Sequence, residues 1–124
     1  MLPNILLKVE KALEEKAILS KDQLIIFMSL LKRYKKNEWL YPGVLIRKLD
    51  ITSSQAYKVL EIMKEMDVLE VNYELYCHNC NTFEGPIYET FSLMPNEVEC
   101  ESCDTELKPL INSIVIYKVI FDGE

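Results

Sequence analysis

The sequence predicts an α+β chain, a helical first part running into a small antiparallel β module. Three observations predict it. Apolar residues recur at helical spacing up to about Met66 and at a spacing of two from Val68 onward. Charge changes at the same place: residues 1–68 carry 12 Lys+Arg against 9 Asp+Glu, a balance of +3, whereas residues 69–124 carry 2 against 11, a balance of −9. All four cysteines fall in the second part, in two pairs. A coincident break in period, charge and cysteine content predicts two modules, 1–68 and 69–124, with different partners. An apolar share of 49% is enough to bury a core, and it argues against a disordered chain.

The helical part is read in order. Pro3 suits a first helical turn, and Ile5, Leu6, Val9, Ala12 and Leu13 follow at helical spacing, predicting a helix that ends near Lys16. Ser20 with Gln23 is a capping box for a second helix. Leu24, Phe27, Met28, Leu31 and Tyr34 line one face of it. Ile25, Ile26 and Leu30 widen the stripe, which predicts a helix buried between neighbours. Lys32, Arg33, Lys35 and Lys36 close it, where cations suit the negative end of the helix dipole. Trp39 and Leu40 read as a short extended link, and Pro42 opens a brief helix through Leu49. Asp50 and Ile51 make a tight turn. Thr52 with Gln55 is a second capping box, starting a helix to about Met66 whose inward face is Ala56, Val59, Leu60 and Met63.

In the second part, Leu69, Val71, Tyr73 and Leu75 alternate with Glu70, Asn72 and Glu74, the pattern of a half-exposed strand. Gly85-Pro86 reads as a turn, Ile87 to Phe91 as a strand, and Met94 to Glu97 as a turn. Ile114 to Phe121 reads as a final strand, apolar on both faces. Such a strand packs against the helical part, on its first helix, or pairs along its edge with a second copy of the chain as a homo-oligomer.

The cysteine pairs are Cys77-His78-Asn79-Cys80 and Cys100-Glu101-Ser102-Cys103, separated by 19 residues. Two thiolates three positions apart on a tight knuckle share one ion, and two knuckles complete a tetrahedron. The spacing points to one structural Zn²⁺ per chain, held by Cys77, Cys80, Cys100 and Cys103. Asn81 and Asp104 follow the pairs, at places where a knuckle needs positive φ. His78 reads as an exposed knuckle residue. A redox site needs only one Cys-x-x-Cys, and a catalytic zinc needs an open position that four thiolates close. Disulfides need a secretory route, and Lys8, Glu10 and Lys11 interrupt any apolar run of a signal peptide. The expectation is a cytoplasmic protein. The longest uncharged stretches, Gln23–Leu31 and Pro109–Tyr117, are 9 residues each. A bilayer span takes about 20, so no membrane partner is expected.

From Leu45 to Met63 the layout is specific. A short helix ends in Leu49, the turn carries Ile51, and a capped helix has the small Ala56 early on. This resembles the winged helix–turn–helix superfamily over residues 21–76. Members usually have Gly where this chain has Asp67. The four cysteines and the strands over residues 69–121 resemble a zinc ribbon. The chain passes directly from one into the other, so the ribbon takes the place of the wing. The first resemblance implies that Ser53, Ser54, Gln55, Tyr57 and Lys58 face a DNA major groove. It also implies that Arg47 and Lys48, with the Lys32–Lys36 cluster, meet phosphates. Glu61 and Glu65 share that helix, and it carries no Arg or Asn, the strongest base-reading side chains.

The combination is similar in architecture to archaeal transcription factor E and its eukaryotic counterpart. It is similar also to small winged-helix and zinc-ribbon accessory proteins of bacterial conflict systems. Both resemblances imply a non-enzymatic adaptor or transcription regulator, with a protein partner on the acidic ribbon and DNA contact through residues 21–64. The alternative is a purely protein-binding accessory component of a multisubunit defence or transcription assembly. An enzyme is not expected. Gly43, Gly85 and Gly123 are too few and too scattered for a phosphate-cradling loop, and the single His has no partner pattern for nucleophilic catalysis. The zinc deaminase layout, His-x-Glu followed by Pro-Cys-x-x-Cys, is absent.

Overall fold

Both capping boxes form in the computed structural model, which describes residues 3–120. Four helices come first: α1 (Pro3–Lys16), α2 (Lys21–Leu31), α3 (Pro42–Leu49) and α4 (Ser53–Glu65). At α2, the Gln23 amide donates to Ser20 Oγ at 3.1 Å and the Ser20 amide to Gln23 Oε1 at 2.9 Å. At α4 the Thr52–Gln55 pair repeats this at 3.1 and 3.0 Å. Each box satisfies two N–H groups that a helix start would otherwise leave open. The glutamines also reach outward: Gln23 Nε2 donates to the Leu49 carbonyl at 3.3 Å, and Gln55 Nε2 to the Ile18 carbonyl at 3.2 Å. A local signal thus also fixes a tertiary one. Val9, Leu13, Phe27, Leu31, Leu45 and Leu60 form the centre of this core. Ala56 is fully buried, and α3 packs on α4.

Two expectations about α2 are corrected. It stops at Leu31, and Arg33 and Tyr34 donate three residues back, to Leu30 and Leu31. That tightening turns the chain out of the helix, so Lys32, Arg33 and Lys36 lie in turns and Tyr34 and Lys35 in irregular chain. The wide apolar stripe does not mean full burial either. Ile25 is 59% exposed and Ile26 46% exposed, and one face alone, Leu24, Phe27, Met28 and Leu31, is buried.

The strands are β1 (Trp39–Leu40), β2 (Leu69–Cys77), β3 (Thr82–Tyr88), β4 (Val98–Glu99), β5 (Glu106–Leu107) and β6 (Ser113–Val119). A short helix, α5 (Pro109–Asn112), precedes β6. One sheet has the order β1-β6-β2-β3, and β4 and β5 form a second, two-stranded one. β1 pairs antiparallel with β6 (Trp39 with Lys118, Leu40 with Tyr117), and β2 pairs antiparallel with β3. The fold class is α+β, as the sequence predicts.

The strand expectations need two corrections. Asn72 and Glu74 are buried, on a strand that lies between β6 and β3. β3 begins at Thr82, and Gly85-Pro86 lies inside it; Phe91 belongs to a one-turn 3-10 helix, Phe91–Leu93. β6 lies between β1 and β2, and β1 pairs with it at Tyr117 and Lys118. Phe121, expected to end that strand, lies outside the described residues.

The described residues form two compact units, 3–70 with 117–120, and Val71–Ile116. The end of β6 therefore belongs with the helices: Tyr117 Oη donates to Glu61 Oε1 on α4 at 3.1 Å. The Ile120 amide donates to the Val68 carbonyl at 3.1 Å. Among the described residues no helix is long and apolar enough to cross a membrane.

Candidate metal centre

Two hairpins of the Val71–Ile116 unit carry the cysteine pairs. β2 ends on Cys77 and β3 starts on Thr82, its ladder partner, so Cys77–Cys80 form the turn between them. β4 and β5 pair Val98 with Leu107 and Glu99 with Glu106, and Cys100–Cys103 form their turn. The Cys100 amide donates to the Thr105 carbonyl at 2.9 Å, and the Asp104 amide to the Cys100 carbonyl at 2.8 Å. Asn81 at φ 56° and Asp104 at φ 59° take the left-handed conformation that closes each turn, which Asn and Asp tolerate better than most residues.

The turns bring four sulfurs together. All lie within 4.8 Å of one another, with Cys77 to Cys103 at 3.6 Å and Cys80 to Cys100 at 3.4 Å. Four sulfurs around one ion at zinc–thiolate distance stand about 3.8 Å apart. A disulfide would need about 2.05 Å, and the thiols are free. The four cysteines could hold a metal ion. Cys77 and Cys100 are fully buried, in a small core with Leu75, Met94 and Leu107. Cys80 and Cys103 are half-buried.

Polar neighbours tune the sulfurs unequally. Burial pushes the Cys100 thiol up to about 12, with Cys80 and the Glu84 carboxylate adding to the rise. The Thr105 hydroxyl, 3.0 Å from Cys103 Sγ, pulls Cys103 down to about 6, with Asn79 helping. Asn79 Nδ2 also donates to Thr105 Oγ1 at 3.3 Å, which leaves the hydroxyl proton free for the sulfur. Thr82 Oγ1 lies 3.1 Å from Cys80 Sγ, and the buried Glu84 accepts from Cys100 Sγ at 3.2 Å. A divalent cation held by Cys77, Cys80, Cys100 and Cys103 would favour the thiolate form of all four over these differences.

Sequence reasoning identifies the four sulfurs but misses Asn79, Thr82, Glu84 and Thr105. Two of these had a signal. Each knuckle reads Cys-x-x-Cys, then Asn or Asp, then Thr: Cys80-Asn81-Thr82 and Cys103-Asp104-Thr105. The repeated Thr supplies the hydroxyl beside each second cysteine. His78 is exposed, stands edge-on to Tyr76 at 5.1 Å, and is not part of the sulfur cluster.

The residues singled out for nucleic acid lie on α3 and α4. Arg47 and Lys48 are exposed at the end of α3, and Ser53, Ser54, Tyr57 and Lys58 are exposed on α4. Ser54, Tyr57 and Lys58 line a groove of about 470 Å³ together with Lys16, Glu61 and Glu65. Gln55 is half-buried and otherwise occupied, accepting from Thr52 and donating to Ile18. Its amide serves the fold. No family model, curated protein or solved structure matches the chain.

Proposed function

We propose that the chain is a non-enzymatic zinc-binding adaptor or transcription regulator. In this reading the helical unit is a winged helix–turn–helix that contacts nucleic acid, and Val71–Ile116 is a zinc ribbon that contacts protein. The observation that carries it is the closed sulfur cluster. Four thiolates fill a tetrahedral ion, leave no position for substrate or activated water, and favour zinc over harder ions. Bound zinc crosslinks two hairpins of a unit whose own core is small. The charge distribution supports the division of labour. Val71–Ile116 carries 8 Asp+Glu against Lys108 alone, a balance of −7, which suits a basic protein surface and repels phosphate. On the helical unit, exposed Arg47, Lys48 and Lys58 suit phosphates, and Ser53, Ser54 and Tyr57 suit the groove between them. Reduced thiolate zinc fits a cytoplasmic setting.

Metal analysis of freshly purified protein tests the first half: one zinc per chain is expected, and metal-free protein with oxidised cysteines would refute it. Salt-dependent binding of duplex DNA tests the second. Arg47→Glu with Lys58→Glu should abolish that binding. A second reading, a purely protein-binding component of a defence or transcription assembly, is favoured by the engaged Gln55 and by Glu61 and Glu65 on α4. Undetectable DNA binding at low salt, with zinc present, selects it.

A further inference from the structure

α2 leaves part of its apolar surface without a cover. Its Leu24, Phe27, Met28 and Leu31 face is buried, and the helix packs on α1 and α3. On its outer side Ile25 and Ile26 are exposed, and Leu30 is half-buried one turn on. With Ser29, Arg33 and Lys48 these three line a groove of about 360 Å³, Lys48 coming from α3. Adjacent large apolar side chains mark a contact surface, whereas single ones scatter over ordinary surfaces.

The charge of this groove is one-sided. No carboxylate lines it, and among the described residues neither Arg33 nor Lys48 is paired with one. Asp22, the single acid of α2, stands at the start of the helix and outside the lining. Two uncompensated cations therefore flank the isoleucines, and an occupant has to satisfy both kinds of group. A purely apolar segment would strip water from the cations and give nothing back. A phosphodiester chain would meet the cations and leave Ile25 and Ile26 wet. An amphipathic helix that carries acids meets both. Ile25 with Ser29, and Ile26 with Leu30, are each one turn apart, so they form two rows of the kind a second helix packs across. A concave groove also takes the ridge of a helix better than it takes a flat bilayer.

We infer that the outer face of α2 is the docking site for an acidic amphipathic helix of a partner protein. The apolar face of that helix covers Ile25, Ile26 and Leu30, and its carboxylates meet Arg33 and Lys48. The helical unit thus has a protein partner of its own. Of the DNA contacts proposed on α3 and α4, this groove contains only Lys48, so the inference goes beyond that reading and does not need DNA to be bound.

The test uses the full-length chain and three synthetic helical peptides of about 18 residues. One has Leu on one face and Glu on the other, one has Leu and Lys, and one has Ser and Glu at the same charge as the first. Saturable binding of the Leu/Glu peptide is expected. Ile25→Ser with Ile26→Ser should weaken it at least about tenfold. Arg33→Glu should weaken it as much and strengthen the Leu/Lys peptide. These side chains are exposed, so both variants should keep the helical circular dichroism of the parent. Duplex DNA binding, measured on the same preparations, should not change in the isoleucine variant. A Ser/Glu peptide that binds as well as Leu/Glu, with no effect of the isoleucine variant, overturns the groove. A Leu/Lys peptide that binds as well overturns the acidic occupant. No binding by any peptide overturns the inference and leaves the proposed zinc and DNA contacts to their own tests. The isoleucine variant could instead lose DNA, lose vesicles of phosphatidylserine and phosphatidylcholine, or dissolve a dimer in sedimentation. Each of those results gives the face to nucleic acid, to a lipid surface or to a second copy, and overturns the proposed partner.

Discussion

Thr105 is the foremost of several groups that lower the Cys103 thiol in the metal-free protein. Its hydroxyl comes first among the causes that hold this thiol at about 6, below its ordinary value of 9.0. Metal binds the thiolate, so protons and metal compete for Cys103 only at and below that pH. Thr105→Val removes the hydroxyl, lets the pKa rise, and carries the competition up toward neutrality. Zinc affinity at pH 7 should fall about tenfold. The pH at which half the zinc passes to a chromophoric chelator should move up. Thr105→Ser should restore both. A valine variant with unchanged affinity and midpoint would remove Thr105 from this role. The cysteines themselves were legible because spacing is a one-dimensional signal. Glu84 was not: it sits 16 residues from Cys100 on another hairpin, and only the paired strands bring them together.

At the scale of the element, local signals held and cooperative ones did not. The two capping boxes are written within four residues each, and both form. Thr52→Ala should cost about 1 kcal/mol in chemical denaturation. Gln55→Ala should cost more, because the bond to the Ile18 carbonyl goes with the cap. Equal losses in the two variants would show that the Ile18 contact adds nothing. Gly85-Pro86 shows the opposite case. Its composition suggests a turn, yet Tyr73 pairs with Tyr88 and Leu75 with Glu84, so Gly85, Pro86 and Ile87 together oppose Glu74. The bulge places Pro86 where no ladder donor is needed and lets Gly85 adopt φ +75°. Gly85→Ala should destabilise by about 1 kcal/mol through the backbone alone, since the added Cβ meets nothing closer than Tyr88 Oη at 3.9 Å. The two-residue β5 and four-residue α5 are too short to carry a period, and the sequence reading passes over them.

For the whole molecule, the acidic charge and the four cysteines fall in the same unit. Four thiolates holding one divalent cation would add −2, taking the chain from −6 to −8. Chelation should unfold Val71–Ile116 first, because that unit depends on a small core built around two of the cysteines. Trp39 lies in β1 and is the single tryptophan, so its fluorescence reports on the helical unit. Chelator should leave that fluorescence and the helical circular dichroism largely intact while amide protection in β3, β4 and β5 disappears. Simultaneous loss of all three signals would show one cooperative molecule. The helical unit has a further property: it is discontinuous, leaving at Glu70 and resuming at Tyr117. Its two strands are clasped beyond the gap by the bond from the Ile120 amide to the Val68 carbonyl. The 46 residues between are therefore an insertion with neighbouring ends, a cassette spliced into a closed clasp. A stop codon after Glu70 would strip β1 of its strand partner and Glu61 of the Tyr117 hydroxyl. Excising the cassette and bridging the gap with a short hairpin would keep both. The cassette can therefore be exchanged without disturbing the helices that carry it.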